Sequence, residues 1–158
     1  LAGARGPREI YMARVVAVAD GDTVTVLKGL AQIKVRLWGI DCPEKRQAFG
    51  DRAKRFTGDL AFGKVVTVAA YNGDRYGRTV AEITLPDGRN LNRELVRAGL
   101  AWWYQRYAPR ARDYSDLEAE ARAARRGLWA DPAPVAPWDF RRARRSSTGA
   151  ASAAYPPR

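Results

Sequence analysis

The sequence predicts an α+β fold, a small barrel of five short strands carrying three helices. Two observations predict it. Segments of alternating β-branched residues recur between turn signals. The segments separating them carry helical periodicity or end on a glycine suited to helix termination. At 158 residues the chain has room for one sizeable core and not for a second full domain.

From Ile10 to Val26 the alternation breaks at Asp20-Gly21-Asp22, which reads as a hairpin turn with Gly21 expected at positive φ. A third strand follows from Ile33 to Trp38, and Gly39 to Glu44 has the glycine and proline of an ordered loop. Phe49, Ala53, Phe56 and Leu60 share one helical face and predict the first helix. Strands over Val65–Tyr71 and Thr79–Leu85 flank Asn72-Gly73, and Pro86-Asp87-Gly88 makes a further turn. A short helix is expected from Asn92 to Ala98, ended by Gly99. The third covers Asp113 to Arg126, with acids early and arginines late as the helix dipole favours, and stops at Gly127. Five strands interleaved with helices suit an OB barrel, a scaffold for binding nucleic acid.

Residues 1–9 read as an N-terminal extension and residues 10–140 as the domain. After Trp138 the sequence turns to Arg141-Arg142-Ala143-Arg144-Arg145 and then to Ser, Thr, Gly, Ala and Pro without periodicity. Residues 141–158 are therefore expected to be a disordered basic tail. That tail holds five arginines and no acid, so about half of the +11 net charge stays on the domain.

The composition is 46% hydrophobic and 28% charged, ordinary for a folded protein. The basic excess favours a polyanionic partner such as nucleic acid, with an anionic membrane surface as the rival. No run of about 18 apolar residues exists, so no membrane span is expected. Histidine is absent, which excludes Ser-His-Asp triads, Cys-His pairs and His-ligated zinc. One cysteine, Cys42, excludes an internal disulfide and a multi-cysteine zinc site. Catalysis, if present, must run on carboxylates, arginines and metal.

Asp22, Asp41 and Glu44 lie beside turns that a closed barrel brings together. They read either as oxygen ligands of a hard cation such as Ca²⁺ or as turn residues bonding their own backbone. Tyr76 reads as a stacking platform for a base or as a half-buried strand-end residue. Trp102, Trp103 and Tyr104 divide between base stacking and core packing, with packing favoured, and Trp129 and Trp138 read as hydrophobic closure.

Three segments carry a resemblance: Asp20-Gly21-Asp22-Thr23; Arg36 followed by Asp41-Cys42-Pro43-Glu44; and Asp74-Arg75-Tyr76-Gly77-Arg78. In this order and context they resemble the staphylococcal nuclease (thermonuclease) family. Asn92 with Leu95 to Ala101, and Gly127-Leu128-Trp129, extend the likeness over about residues 14–129. The resemblance implies a five-stranded OB-fold β-barrel with three α-helices. It also implies one Ca²⁺ on Asp22, Asp41 and the backbone carbonyl of Cys42, with Glu44 activating or orienting water and Arg36 and Arg78 on the scissile phosphate. Arg75, Tyr76 and Tyr107 are the implied nucleotide contacts.

The function implied is a calcium-dependent endonuclease acting on DNA and RNA with little sequence specificity, favouring single strands and leaving 3′-phosphate ends. A monomer, secreted or periplasmic, follows from family habit. Cys42, Arg75 and Gln105 replace the type protein's threonine, lysine and tyrosine, and the loop after Glu44 is shorter. The alternative is a non-catalytic OB module that binds nucleic acid, against which the intact Asp22, Arg36, Asp41, Glu44 and Arg78 speak.

Overall fold

The computed structural model describes residues 5–153, with side chains through residue 147. β1 (Glu9–Asp20), β2 (Thr23–Lys28), β3 (Ala31–Leu37), β5 (Val65–Gly73) and β6 (Thr79–Thr84) form a closed barrel in the order β1-β2-β3-β6-β5. Two more strands, β4 (Ile40–Asp41) and β7 (Trp102–Trp103), form a separate antiparallel pair. The helices are α1 (Gly50–Ala61), α2 (Leu91–Arg97), α3 (Arg112–Ala123) and α4 (Pro137–Ala153), with a short 3-10 helix over Gly127–Ala130. The α+β, OB-like architecture expected from the sequence is what the chain adopts.

Closure follows from strand alternation. Val15, Val24, Val26, Val35, Leu37, Val66, Val68, Ala81 and Ile83 all point inward and are buried. Each Val, Leu or Ile among them contributes about 1.5–3 kcal/mol by leaving water. β3 and β6 pair in parallel at Arg36↔Val80, and β1 and β5 pair antiparallel to complete the ring. The outward residues of β3, Arg36 among them, are left to the rim.

Gly21 departs from the expected role. It is not among the glycines at positive φ. Its function is space: a Cβ there would lie 2.8 Å from the Ala53 Cβ and 3.0 Å from the Cys42 Sγ. α1 can therefore lie flat on the β1–β2 turn, where the buried Thr57 hydroxyl donates to the Gly21 carbonyl at 2.6 Å. The turn that presents Asp22 is clamped from outside.

A second polar network fixes α2 and α3. Asn92 is fully buried; its Nδ2 donates to the carbonyl oxygens of Trp38 and Ala81, and its Oδ1 accepts from the Ile83 amide. Tyr71 and Tyr114 each donate to Glu82 at 2.7 Å, so this half-buried carboxylate on β6 holds both β5 and α3. Burial and the Glu82 carboxylate push the Tyr71 hydroxyl up to about 12.

The expected disordered tail is corrected. Pro137–Ala153 is a fourth helix, so a boundary at Arg141 falls inside it. Proline occupies the first helical position, where its missing N–H costs nothing, and Asp139 lies in the first turn beside the positive end of the dipole. Trp138 and Arg141, one turn apart, anchor this helix to the β4–β7 pair and the residue that follows it. Residues 154–158 of the tail lie outside the described residues. Among the described residues no helix is long and apolar enough to cross a membrane.

Candidate functional site

Four of the sequence-predicted residues converge on the barrel rim. Asp22 comes from the β1–β2 turn, Arg36 from β3, Asp41 from β4 and Glu44 from the loop beyond it. Thr23 pairs with Arg36 in the β2–β3 ladder, which sets Asp22 beside the guanidinium. The two-residue pairing of Asp41 with Trp102 fixes the other carboxylate; Ile40 turns into the core, leaving Asp41 to face the rim.

Arg36 ties the group together. One guanidinium nitrogen, Nη2, lies 3.2 Å from Asp41 Oδ1 and 3.4 Å from Asp22 Oδ2. Its other terminal nitrogen donates to the carbonyl oxygens of Leu37 and Ile40. Burial lowers the Arg36 pKa, but Asp22 and Asp41 outweigh it, and the net shift is upward. Arg36 is a fixed cation in a water-poor setting.

Asp22 and Asp41 are both buried, at 7% and 1% exposure. Asp22 Oδ2 accepts the Cys42 amide at 2.8 Å, which joins the two acidic segments directly. Desolvation raises the Asp41 pKa to about 6, against the opposing pull of Arg141 and Arg36. The Cys42 thiol is driven well up by burial and by neighbouring carboxylates, so it is no nucleophile.

Glu44 is half-buried and held by its backbone. Its amide donates to Gln47 Oε1 and its carbonyl accepts the Gln47 amide. Gly50 permits this turn: a Cβ at position 50 would meet the Glu44 carbonyl oxygen at 2.0 Å. Phe49, just before α1, takes a left-handed conformation at φ 69°. Strained backbone of this kind recurs where a side chain must be aimed.

The side chain that touches Glu44 is one the sequence reading placed in the tail. Arg141 Nη1 lies 2.6 Å from Glu44 Oε1, and its Nη2 lies 2.7 Å from Asp41 Oδ2. Hydrogen bonds to Asp41 and Glu44 overcome desolvation and keep Arg141 firmly cationic. Pro137 at the helix start and the one-turn spacing of Trp138 and Arg141 are the local signals that can reveal it.

Arg78 stands apart from these carboxylates. Its Nε donates to Asp74 Oδ2 at 2.7 Å on the β5–β6 turn. Burial tends to raise the Asp74 pKa, yet the hydrogen bonds from Arg78 and Tyr76 leave it below the usual carboxylate value. The guanidinium groups of Arg75 and Arg78 lie 5.0 and 5.4 Å from the centroid of the exposed Tyr76 ring. Arg75, Tyr76 and Arg78 thus form one cationic, aromatic group.

Tyr107 forms a third group. It is exposed and meets Tyr104 edge-on at 4.7 Å, while Tyr104 stacks on Trp138 of α4. Trp103 donates from Nε1 to the Ala108 carbonyl, and Trp102 packs edge-on against Trp129, in keeping with the packing role expected for this run.

Oxygen atoms dominate the donor set, which suits a hard cation better than a soft one. The guanidinium of Arg141 marks the space between Asp41 and Glu44 as one that accepts positive charge. Among the described residues no group of three or more His, Cys, Asp or Glu side chains makes a ready metal cage. A cation on Asp22 and Asp41 would take its remaining ligands from backbone carbonyl and water.

Residues 34–131 match the family of staphylococcal nuclease homologues. An uncharacterized endonuclease of Escherichia coli is 44% identical over 128 residues, covering 81% of this chain and 83% of its own. A micrococcal nuclease of Shigella flexneri is 42% identical over 147 residues, 87% of this chain and 84% of its own. A staphylococcal-like nuclease of Arabidopsis thaliana is 38% identical over 114 residues, 72% of this chain and 35% of its own.

Proposed function

The chain belongs to the family of staphylococcal nuclease homologues and is a nuclease, and from that premise we propose that it is a calcium-dependent endonuclease. It hydrolyses phosphodiester bonds of DNA and RNA with little sequence specificity, favours single strands, works as a monomer and leaves 3′-phosphate ends. The observation that carries this reading is the pair of buried carboxylates, Asp22 and Asp41, on one nitrogen of Arg36 with Glu44 at the exit.

Asp22, Asp41 and the Cys42 carbonyl are the atoms proposed to hold Ca²⁺. Bound there, calcium supplies positive charge that polarises water and offsets charge on the phosphate. Glu44 takes the proton of the attacking water as the water oxygen bonds phosphorus and the bond to the 5′-oxygen breaks, the departing 5′-oxygen taking a proton from solvent to become a hydroxyl. Arg36 has its charge fixed before substrate arrives, so little reorganisation is needed when negative charge grows on the phosphoryl oxygens. Asp74 holds Arg78 through Nε, which leaves the terminal nitrogens to face a phosphate. Tyr76, with Arg75 beside it, offers a stacking face that an unpaired base reaches more readily than a paired one.

The test is incubation of the pure protein with matched single- and double-stranded substrates in Ca²⁺, in Mg²⁺ and in chelator, followed by end-group analysis. Cleavage in Ca²⁺ alone with 3′-phosphate products is the expected result. Full activity in chelator overturns the metal assignment. Binding without cleavage in every condition makes the protein a nucleic-acid-binding module instead.

A further inference from the structure

Arg141 occupies the place where the proposed chemistry needs another cation. Its planar fork spans two carboxylates: Nη2 on Asp41 at 2.7 Å, and Nη1 on Glu44 at 2.6 Å with a longer contact of 3.3 Å to Asp41. Such bidentate, charge-assisted contacts are among the strongest a side chain makes. Asp22, Asp41 and Glu44 carry three formal negative charges, and Arg36 offsets one of them. Arg141 offsets a second, in a setting where Asp41 is almost completely removed from water.

The same contacts compete with the working site. A divalent ion on Asp41 and a guanidinium on both Asp41 oxygens compete for the same lone pairs and repel one another at low dielectric. Arg141 also ties up Glu44 Oε1 at 2.6 Å, which leaves Glu44 a single oxygen for the attacking water. Arg141 belongs to α4, which is also seated by the Trp138 ring lying on Tyr104 and Trp102. Release of one helix therefore frees both carboxylates without disturbing the barrel.

We propose that α4 is an internal latch, in which Arg141 fills the cation site of the metal-free protein and a divalent ion arriving at Asp22 and Asp41 expels it and frees Glu44. The inference rests on the metal reading given above. It assigns a further residue to the site, Arg141, acting through Asp41 and Glu44, and it makes metal affinity a property of α4 as well as of the ligands. A latch shut about 90% of the time weakens apparent metal affinity about tenfold, because the ion binds only the open fraction.

The experiment is calorimetric titration of the full chain with Ca²⁺, without nucleic acid, for wild type, Arg141→Met, Arg141→Lys and Asp22→Asn. Hydrogen exchange of residues 137–147 is followed in wild type with and without the ion. Arg141→Met should bind Ca²⁺ about tenfold more tightly or better, Arg141→Lys should fall between, and Asp22→Asn should lose binding. Ca²⁺ should also speed exchange across α4 in wild type. Unchanged or weaker affinity in Arg141→Met, with Asp22→Asn still defective, rejects the latch and leaves the metal site standing. Unchanged exchange in α4 on Ca²⁺ binding rejects the latch even if Arg141→Met fails to fold. Undiminished binding by Asp22→Asn, or no binding by any variant, removes the metal reading and the latch with it.

Discussion

The Trp138 indole stacks on the Tyr104 ring, with centroids 5.1 Å apart and planes 21° apart. Tyr104 directly follows β7, the strand that pairs with Asp41, so the stack seats α4 beside the buried carboxylates. Trp138 also meets Trp102 edge-on at 5.5 Å. Truncation of Trp138 should therefore loosen α4 and little else. The expected result for Trp138→Ala is loss of hydrogen-exchange protection over residues 137–147 with the barrel strands still protected. The stacking part is worth about 1 kcal/mol, a melting shift of about 2–4 °C for a domain of this size. Coordinated loss of protection in β1 to β3 would show that α4 supports the barrel itself.

Removal of the proposed base or of the second phosphate arginine should act on turnover. Glu44→Gln keeps the shape of the side chain and removes its basicity. Arg78→Ala removes a cation that Asp74 holds on the β5–β6 turn. Each should lower single-turnover cleavage by about a hundredfold or more. Substrate affinity should fall more for Arg78→Ala, since the proposed partner of Arg78 is a phosphate and that of Glu44 is water. Near-normal turnover in either variant rejects its role.

Gly50 offers a test of how tightly Glu44 must be aimed. A Cβ at this position would lie 2.0 Å from the Glu44 carbonyl oxygen and 2.9 Å from its carbon, both backbone atoms with little room to shift. Gly50→Ala should push the loop outward while α1 still forms. A misplacement of about 1 Å at a reacting group costs on the order of a hundredfold in rate. Steady-state cleavage, checked against an unchanged far-ultraviolet dichroism spectrum, decides it. Wild-type rates would mean that the loop is free to re-aim Glu44.

The barrel was legible because its strands bury alternate residues: Val24 and Val26, or Val35 and Leu37, lie in the core at a period of two. Asp22, Asp41 and Glu44 were legible as a group because they flank turns at one barrel end, and Arg36 joined them only through the family resemblance. The β4–β7 pairing was not, since two residues give no periodicity to read. Gly21 was noticed for the wrong reason: a turn glycine suggests φ, and only the approach of Ala53 shows that space is the need. Arg141 was hidden by its surroundings. An arginine-rich, small-residue segment has the composition of disorder, whereas its contact with Glu44 spans 97 positions that local pattern cannot connect.

Asp41 should write its burial into the pH dependence of stability. Its folded pKa, raised by desolvation to about 6, lies above the ordinary carboxyl value of 3.8. Between those values the folded chain holds more protons than the unfolded one, so stability falls as pH rises through the window and levels off above about 6. Asp74, lowered by its hydrogen bonds from Arg78 and Tyr76 once these outweigh burial, has the opposite sign. Its contribution is present above 3.8 and is lost only as pH falls further, so the two effects occupy different ranges. Asp20, raised by burial and by Asp22 and Glu44, shares the sign of Asp41 and is common to wild type and the comparison variant. Asp41→Asn keeps an oxygen for Arg36 and removes the titration. Urea denaturation in chelator, from about pH 4 to pH 7, should show wild type losing stability relative to Asp41→Asn by a few kcal/mol, at about 1.4 kcal/mol per pKa unit. The difference should develop mostly between the two pKa values and stay flat beyond them. Parallel curves for the two proteins would mean that Arg36 and Arg141 compensate the buried charge fully, and that Asp41 is ionised throughout.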